Sequence, residues 1–331
     1  MVTIKDIAKK MKLSPSTVSR ALNNNPRIGE KTRRQVHKYA KKMGYQPNYN
    51  AKNLTNQEAN SVGIIFPVNN RVVDNIFYVG ILRGINEELN RRNYVLAIAI
   101  GDSTQQVIDN VESMIHRAQI KKFIFLYSHQ NDKIIDLVRK EAVKFVTIGK
   151  PVDDQKWWYV DNDNVAAGED ATRFLIEKKK SKNPAFVESV NNWPYEDDRR
   201  AGYIKELSKT RKQPNFLQIS QEHGLETESA QIKKFIDEHP QVDSVVATDD
   251  YIALQFDHSY KDLYPGKAMN IIGFNNSLPS DLNQPNFFSV DLNAHAMGTQ
   301  AVDLLFKNQQ ETENISSSHL IVEHKIKGFK N

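Results

Sequence analysis

The sequence of 331 residues contains no cysteine, which excludes disulfide bonds and thiolate metal sites. No stretch reaches the ~18 consecutive apolar residues of a membrane-spanning helix. The amino terminus also lacks the apolar run of a secretion signal. These absences predict a soluble, cytoplasmic protein, and the length predicts two or three domains.

Signatures of catalysis are missing as well. The sequence has no glycine-rich phosphate loop, no nucleophile elbow and no His/Asp cluster at metal-ligand spacing. Adjacent carboxylates occur at Asp153-Asp154 and Asp249-Asp250, but sequence neighbours usually point apart, which disfavours paired acid–base work. We therefore expect a protein that is not an enzyme and that uses no metal or cofactor.

Positive charge is concentrated at the amino-terminal end. Residues 1–60 contain 13 lysines and arginines against three acidic residues, whereas the net charge of the whole chain is only +5. A charge run is often just a solvated surface. Here it coincides with a pair of capped helices, and this combination indicates contact with the phosphates of duplex DNA.

Two short helices are predicted within this basic region. Thr3 followed by Asp6 predicts the start of the first, and Ser14 followed by Pro15 is typical of the start of the second. A third helix is predicted from about Glu30 to Met43. The spacing of apolar residues lets the first two helices share one small core, formed by Ile7, Ala8, Met11, Leu13, Val18 and Leu22.

The second helix is predicted to read DNA from the face that this core leaves free. Ser16, Thr17 and Arg20 lie on that face near the helix start, where a recognition helix meets base edges in the major groove. Arg20 is the candidate for a bidentate contact to guanine; alternatively, it only neutralises phosphate. Ser14 and Ser19 either cap helices or donate hydrogen bonds to phosphates.

A segment after the third helix carries a family resemblance. It reads Gly44-Tyr45-Gln46-Pro47-Asn48-Tyr49-Asn50-Ala51-Lys52-Asn53-Leu54. The segment resembles the hinge pattern G-Y-x-P-N-x-x-A-R-x-L of the lactose-repressor/galactose-repressor family of bacterial regulators, with Lys52 in place of the usual Arg. The resemblance implies a transcriptional repressor with an all-α helix-turn-helix head and an α/β, two-lobed body like a periplasmic binding protein.

By this resemblance, residues 1–46 form the head, 47–60 a hinge helix or linker, and 61–331 the body of a homodimer on palindromic operator DNA. The hinge is too short and polar to fold alone, so DNA and a paired copy should order it. Leu54 is then expected to insert between base steps in the minor groove; alternatively, it packs against its own body. The predicted DNA contacts are Thr3, Ser14, Pro15, Ser16, Thr17, Ser19, Arg20, Asn23, Tyr45, Asn48, Ala51, Lys52 and Leu54.

From Ser61 onward, strands alternate with helices, which predicts parallel sheets covered on both faces. The first predicted elements are the strand Val62–Phe66, the helix Phe77–Asn93 and the strand Tyr94–Ile100. The resemblance implies three crossings between the lobes, near Asp161, Asp291 and Ser317. The first lobe is then about 61–160 and 292–316, and the second is about 161–290 and 317–331.

Several motif matches imply a small-molecule site between the lobes. Asp198–Tyr203 matches R-x-x-G-[FY] and makes Arg199 the hydroxyl-binding arginine, while Asp249–Ala253 matches [ND]-D-x-x-A. Gly273–Asn276 replaces the common G-[FY]-D-[DE], so the contact there is the neutral Asn275. With Val160–Asn164 and candidate aromatic rings, the predicted ligand residues are Phe77, Tyr127, Asp163, Trp193, Arg199, Asp249 and Asn275. One of Trp157 and Trp158 is a further candidate ring.

An array of arginine, carboxylate and amide suits the vicinal hydroxyls of a sugar. Within the family, the hinge and several body segments are most similar to maltose-operon repressors of Gram-positive bacteria, which implies maltose or maltodextrin as the effector. Alternatively, the aromatic residues only pack within the lobes, and Arg199 and Asp249 form an ion pair between the lobes. Other readings are a catabolite-control regulator activated by a phosphorylated carrier protein, or a regulator of another sugar or a purine.

We expect Leu54→Ala to lower operator affinity without unfolding the head, because the substitution removes the apolar side chain that would enter the base stack. Gel-shift titration with operator DNA measures the affinity, and circular dichroism checks the fold. Unchanged operator affinity would contradict the insertion of Leu54 between base steps.

Overall fold

The computed structural model describes residues 2–45, 59–68, 76–129, 131–152, 157–190, 193–219, 225–278, 287–307 and 319–328, with backbone alone for 225–228. Contacts divide the chain into two compact units, residues 1–59 and 60–331, which we term the head and the body. The predicted hinge helix falls on residues outside the described ranges and stays a prediction.

The head contains three short helices, α1 (Ile4–Met11), α2 (Pro15–Leu22) and α3 (Glu30–Lys42). One apolar cluster joins them. The predicted shared core is confirmed, because this cluster includes Ile7, Ala8, Met11, Leu13, Val18 and Leu22. Burial of one small core by three amphipathic helices is what allows so short a unit to fold.

Local hydrogen bonds begin the first two helices of the head. The backbone N–H of Asp6 donates to Thr3 Oγ1 at 3.3 Å, and the N–H of Thr3 donates to Asp6 Oδ2 at 2.8 Å. The Thr3 hydroxyl also donates to Asp6 Oδ2 at 2.7 Å, and this bond, together with that from the backbone N–H of Thr3, lowers the pKa of Asp6. At α2 the N–H of Thr17 donates to Ser14 Oγ at 3.1 Å, and Pro15 occupies the first helical position. Both predicted helix starts are confirmed.

The first lobe of the body is built on a parallel sheet. Its strands are β1 (Ser61–Ile65), β2 (Val95–Ala99), β3 (Lys122–Phe125), β4 (Lys144–Ile148), β5 (Tyr159–Asn162) and β11 (His319–Val322), in the order β11-β5-β4-β3-β1-β2. Its helices are α4 (Ile76–Arg91), α5 (Thr104–His116), α6 (Lys133–Lys140) and α11 (Ala294–Phe306). The face of α4 that carries Ile81, Ile85 and Leu89 is fully buried in the lobe core, as predicted.

The second lobe repeats this layout. Its strands are β6 (Pro184–Ser189), β7 (Asn215–Ile219), β8 (Ser244–Ala247), β9 (Asn270–Phe274), β10 (Phe288–Asp291) and β12 (Lys325–Gly328), in the order β12-β10-β9-β8-β6-β7. Its helices are α7 (Asn164–Lys178), α8 (Pro194–Lys209), α9 (Leu225–Glu238) and α10 (Asp250–Leu263). Strand β12 runs antiparallel to β10, and the other pairs are parallel.

Along the described residues, the chain crosses between the lobes from β5 to α7, from β10 to α11 and from β11 to β12. The first two crossings lie where the sequence predicts them, next to Asp161 and Asp291. The third prediction, near Ser317, is wrong, because β11 still pairs with β5 in the first lobe and the crossing lies after Val322. Strand β11 is short, so its position in the first lobe is set by its pairing with β5, which is distant in the sequence.

Helices α7 and α8 pack closely because each has a glycine at the contact. A Cβ on Gly168 would lie 2.2 Å from the carbonyl oxygen of Arg199, and one on Gly202 would lie 2.1 Å from that of Val165. Any larger residue would therefore push the helices apart. Their close approach lets the Arg199 side chain of α8 reach Asn164 at the start of α7.

Asp250, the first residue of α10, is buried beneath the end of β9. Its Oδ2 accepts a hydrogen bond from the N–H of Ser277 at 2.8 Å, which ties the turn after β9 to α10. Burial of the carboxyl group raises the pKa of Asp250 to about 8.

We expect Gly202→Ala to lower the free energy of unfolding of the body by about 1–3 kcal/mol, because the new methyl group overpacks the α7–α8 contact. Urea denaturation measures this quantity. The neighbouring variant Ala201→Ser, at an exposed position of α8, should behave like the natural protein. Equal stability of the two variants would contradict the close-packing explanation.

Stability should also depend on the protonation of Asp250. Its pKa is raised from 3.8 to about 8, so between these values the folded protein holds a proton that the unfolded chain releases. The free energy of unfolding should therefore fall as pH rises through this window, by about 1.4 kcal/mol per pH unit from this group. An asparagine at this position would have the shape of the protonated Asp250 side chain but cannot ionise. Asp250→Asn should therefore remove the contribution of this group to the pH dependence of the free energy of unfolding.

Urea denaturation across that pH window tests the expectation. The exposed Asp262→Asn on the same helix serves as the matched control and should leave the slope unchanged. If Asp250→Asn has the same slope as the natural protein, Asp250 is ionised in the fold.

Candidate functional site

A cavity of about 690 Å³ lies between the two lobes of the body, at the carboxyl ends of strands from both sheets. This volume is typical of small-molecule sites, and strand ends of α/β sheets are where such sites usually form. The cavity brings together most of the predicted ligand residues, namely Phe77, Tyr127, Trp193, Arg199, Asp249 and Asn275.

Asp163 is the exception, and its predicted place in the site is wrong. The structure places its side chain outside the cavity, where Oδ1 accepts a hydrogen bond from the N–H of Ala166 at 2.9 Å and caps α7. Its neighbours Asp161, Asn162 and Asn164 line the cavity instead. The sequence motif identified the right segment, but the turn from strand to helix decides which side chain faces inward.

The two candidate tryptophans of the first lobe also lie outside the cavity lining. Trp157 donates from Nε1 to Thr147 Oγ1 at 3.0 Å. Trp158 packs against the core of the first lobe, with Lys144 Nζ 5.0 Å from the centre of its ring. Both rings therefore stabilise the lobe, and the alternative of ordinary packing is correct for them.

Arg199 is buried at the base of the cavity. Its Nε donates to Asn164 Oδ1 at 3.0 Å, and one terminal nitrogen donates to the carbonyl oxygen of Thr248. The guanidinium carbon lies 4.6 Å from the ring centre of Tyr195 and 4.4 Å from that of Phe274. Burial lowers the pKa of Arg199. Two hydrogen bonds and two rings thus hold the group in one orientation.

Carboxylates face the same space. Asp249 caps α10, with Oδ1 accepting from the N–H of Ile252 at 2.7 Å, and burial raises its pKa. Asp161 accepts from the N–H of Lys150 at 2.8 Å, and burial raises its pKa too. Arg199 and Asp249 both belong to the second lobe, so the alternative of an ion pair between lobes is wrong for these two residues.

Aromatic rings form walls on both lobes, including two that the sequence motifs miss. Tyr78 on α4 lies next to Phe77, with ring centres 6.2 Å apart. Tyr195 on α8 lies almost parallel to Trp193 at 6.5 Å. Both tyrosines line the cavity. The sequence does contain a signal for each tyrosine, because each lies close to another aromatic residue at the start of a predicted or observed helix.

Two contacts join the lobes at the mouth of the cavity. Lys150, after β4, has its Nζ 2.8 Å from Oδ1 and 2.6 Å from Oδ2 of Asp198 on α8. The rings of His129 in the first lobe and Trp193 in the second meet edge to face at 5.9 Å. Both contacts depend on the present distance between the lobes, so they report how closed the cavity is.

In the head, the predicted reading face of α2 is accessible. Ser16, Arg20 and Asn23 are exposed, whereas Thr17 and Ser19 are half-buried. Thr3 and Ser14 act as helix caps, and Pro15 begins α2. Tyr45 packs against the core of the head. The remaining predicted DNA contacts, Asn48, Ala51, Lys52 and Leu54, lie outside the described residues.

No helix in the described part of the chain is both long and apolar enough to cross a membrane. Within the described residues there is also no group of three His, Cys, Asp or Glu side chains that could hold a metal ion.

Comparison with known proteins supports the same division of the chain. Residues 3–48 match the model for bacterial regulatory proteins of the lacI family. Residues 59–326 match the model for periplasmic binding proteins and the sugar-binding domain of the LacI family.

Relatives with assigned roles match over nearly the full length. The transcriptional regulator MalR of Staphylococcus xylosus is 32% identical over 99% of this chain and 94% of its own length. Catabolite control protein A of Staphylococcus epidermidis is 27% identical over 98% of this chain and 97% of its own. A solved structure of the probable maltose operon repressor of Staphylococcus aureus has a TM-score of 0.72 at 21% identity, covering 82% of this chain and 99% of that one.

These matches confirm the predicted fold, an α-helical head with a two-lobed α/β body, and the predicted absence of catalysis, since members of the family regulate transcription and are not enzymes. Both family models together span almost the whole sequence, and the chain belongs to the lacI family of DNA-binding transcriptional regulators.

Proposed function

We propose that this regulator is a repressor that binds a small sugar, maltose or a short maltodextrin, in the cavity between its lobes, and that binding changes its affinity for operator DNA. The observation that carries the proposal is the cavity itself. Arg199, Asp249 and Asn275 supply donors and acceptors in set directions, and aromatic rings from both lobes flank them. Hydroxyl groups match the polar atoms, and the apolar face of a sugar ring matches the aromatic walls.

Similarity favours maltose among the sugars. MalR is the name of the relative at 32% identity, and the similar structure from Staphylococcus aureus is described as a probable maltose operon repressor. No cofactor is needed, because the effector acts by binding alone.

Relative movement of the lobes is the proposed switch. Cavity residues come from both lobes, so a ligand that contacts both binds one degree of closure more tightly than others. Such differential binding is the only way in which a ligand can shift a conformational equilibrium. By linkage, operator DNA must then change the affinity for the sugar by the same factor.

For the head, we propose that Ser16, Thr17 and Arg20 contact base edges while Ser19 and Asn23 support the docking of α2 in the major groove. Thr3, Ser14, Pro15 and Tyr45 would position the head against the phosphates. Asn48, Ala51, Lys52 and Leu54 are proposed to form the hinge contacts in the minor groove. Arg20 is exposed and free to reach the DNA, as this role requires.

We also propose that the protein acts as a homodimer in the cytoplasm. One three-helix head reads too few base pairs for genomic selectivity, and a pair of heads matches a palindromic operator. The edge strand β2 leaves Val95 and Ile98 exposed, at 60% and 44% of their surface. Apolar side chains on the outermost strand of the sheet, as it stands within the described residues, are suited to burial against a second copy.

Fluorescence anisotropy with promoter-proximal DNA of the native gene tests the proposal. We expect palindromic DNA to bind far more tightly than random duplex, with a steep dependence on salt, and maltose to change the operator affinity. Asp249→Asn should weaken maltose binding at least about tenfold, because it removes a charged acceptor, and should leave operator binding without maltose intact.

The exposed Asp262→Asn on the same helix is the matched control and should respond to maltose like the natural protein. If calorimetry shows no heat with maltose but clear heat with a purine or another sugar, the effector is reassigned. If no palindromic duplex is preferred over random DNA, the proposed operator recognition fails.

The second candidate is a catabolite-control regulator whose DNA binding is tightened by a phosphorylated carrier protein. The relative named catabolite control protein A, at 27% identity, supports it. Capture of the phosphorylated carrier by the purified chain, with no response to any sugar, would favour this alternative.

A further inference from the structure

The charges around the cavity are unlike those of an anion-binding site. Among the described residues that line it, four are acidic, namely Asp161, Glu196, Asp198 and Asp249. Two of the described lining residues are basic, Lys150 and Arg199. Carboxylates therefore outnumber cations, and the availability of the two cations decides whether an anionic group could bind.

Arg199 is already engaged. Its Nε and one terminal nitrogen donate to Asn164 and to the carbonyl of Thr248, and its planar faces lie against two rings. A bidentate grip on a phosphate needs two parallel donors of one guanidinium edge. With Nε committed to Asn164, Arg199 cannot offer the fork that uses this nitrogen, and one N–H group of a terminal nitrogen is also committed to the protein.

Lys150 is neutralised by its partner. Asp198 holds the ammonium group with both carboxylate oxygens, at 2.8 Å and 2.6 Å. An incoming phosphate at this ammonium group would either displace Asp198 or lie beside its carboxylate, and both arrangements bring two negative groups close together. The ion pair thus removes the other cation that a phosphate could use.

The hydroxyl groups of an uncharged ligand, by contrast, meet hydrogen-bond acceptors in the cavity. Asp161 and Asp249 face the cavity as carboxyl groups, and Ser128 presents a buried Oγ that has no hydrogen-bond partner among the residues that the structure describes. A fully ionised phosphate has no proton to donate to these acceptors, whereas each sugar hydroxyl has one.

We infer that the cavity accepts an uncharged, polyhydroxylated ligand and rejects the phosphorylated form of the same ligand, and that Asp198 enforces this choice by holding Lys150. The inference rests on the proposed effector site and specifies its ligand class. A phosphate carries a charge of about −1.5 to −2 at neutral pH, and its burial without a free cation is strongly unfavourable.

Isothermal titration calorimetry of the full chain tests this with matched pairs of probes. The pairs are maltose with maltose 6′-phosphate, cellobiose with cellobiose 6′-phosphate, and glucose with glucose 6-phosphate. For the sugar that binds most tightly, we expect the phosphorylated partner to bind at least about 100-fold more weakly at neutral pH, because like charges placed together cost several kcal/mol.

Two variants separate the role of the freed cation from a general loosening of the cavity. Asp198→Asn leaves Lys150 unpaired and should raise the affinity for the sugar phosphate about tenfold. Lys150→Gln also breaks the ion pair but supplies no cation, so it should not raise that affinity. The control Asp197→Asn alters the adjacent acid, which pairs with Arg200 outside the cavity, and should leave both affinities unchanged.

Each outcome is distinct. A sugar phosphate that binds as tightly as its neutral partner overturns the inference while the proposed effector site stands. An equal gain of phosphate affinity in Asp198→Asn and Lys150→Gln, or none in Asp198→Asn, overturns the role of Asp198. If neither member of any pair binds, the proposed function itself fails.

Discussion

The geometry of the second lobe depends on the close contact between α7 and α8. Gly168 and Gly202 allow the two helix backbones to approach to a distance at which no side chain fits. Because α8 lies so near, the buried guanidinium of Arg199 reaches Asn164 at the first lobe crossing and the carbonyl of Thr248 after β8. One side chain thereby joins three segments that are distant in sequence. A charge this deeply buried is tolerable because two of its nitrogens donate hydrogen bonds to the protein and two aromatic rings lie against the guanidinium group.

The two units of the chain are organised by different kinds of interaction. In the head, hydrogen bonds between residues three apart begin α1 and α2, and a few apolar side chains close the core. The body instead relies on parallel strands whose partners are far apart along the chain, and its ligand residues come from the ends of those strands. The head can thus present a small, stable reading surface, while the body contains the elements that can change their relative position.

The sequence predicted much of this arrangement. The helix caps, the shared core of the head and the buried face of α4 all follow local patterns of three or four residues, and all are confirmed. Motif matches also located three polar residues of the cavity, Arg199, Asp249 and Asn275. The errors fall where a side chain's direction depends on a turn: Asp163 caps a helix while Asp161 faces the cavity. Likewise, the edge strand β11 has no local pattern strong enough to reveal its lobe.

Local chemistry in the chain was enough to establish a basic three-helix head and a body of alternating strands and helices, because capping and periodicity act between near neighbours. The family resemblance, and not local chemistry, indicated the segments that supply the cavity. Which groups actually face one another was settled only by folding in three dimensions. Lys150 and Asp198 lie on different lobes, and no spacing rule relates them. Their pairing, the aromatic walls and the burial that raises the pKa of Asp249 arise when strand ends from two sheets converge, since distance and desolvation are properties of the assembled body.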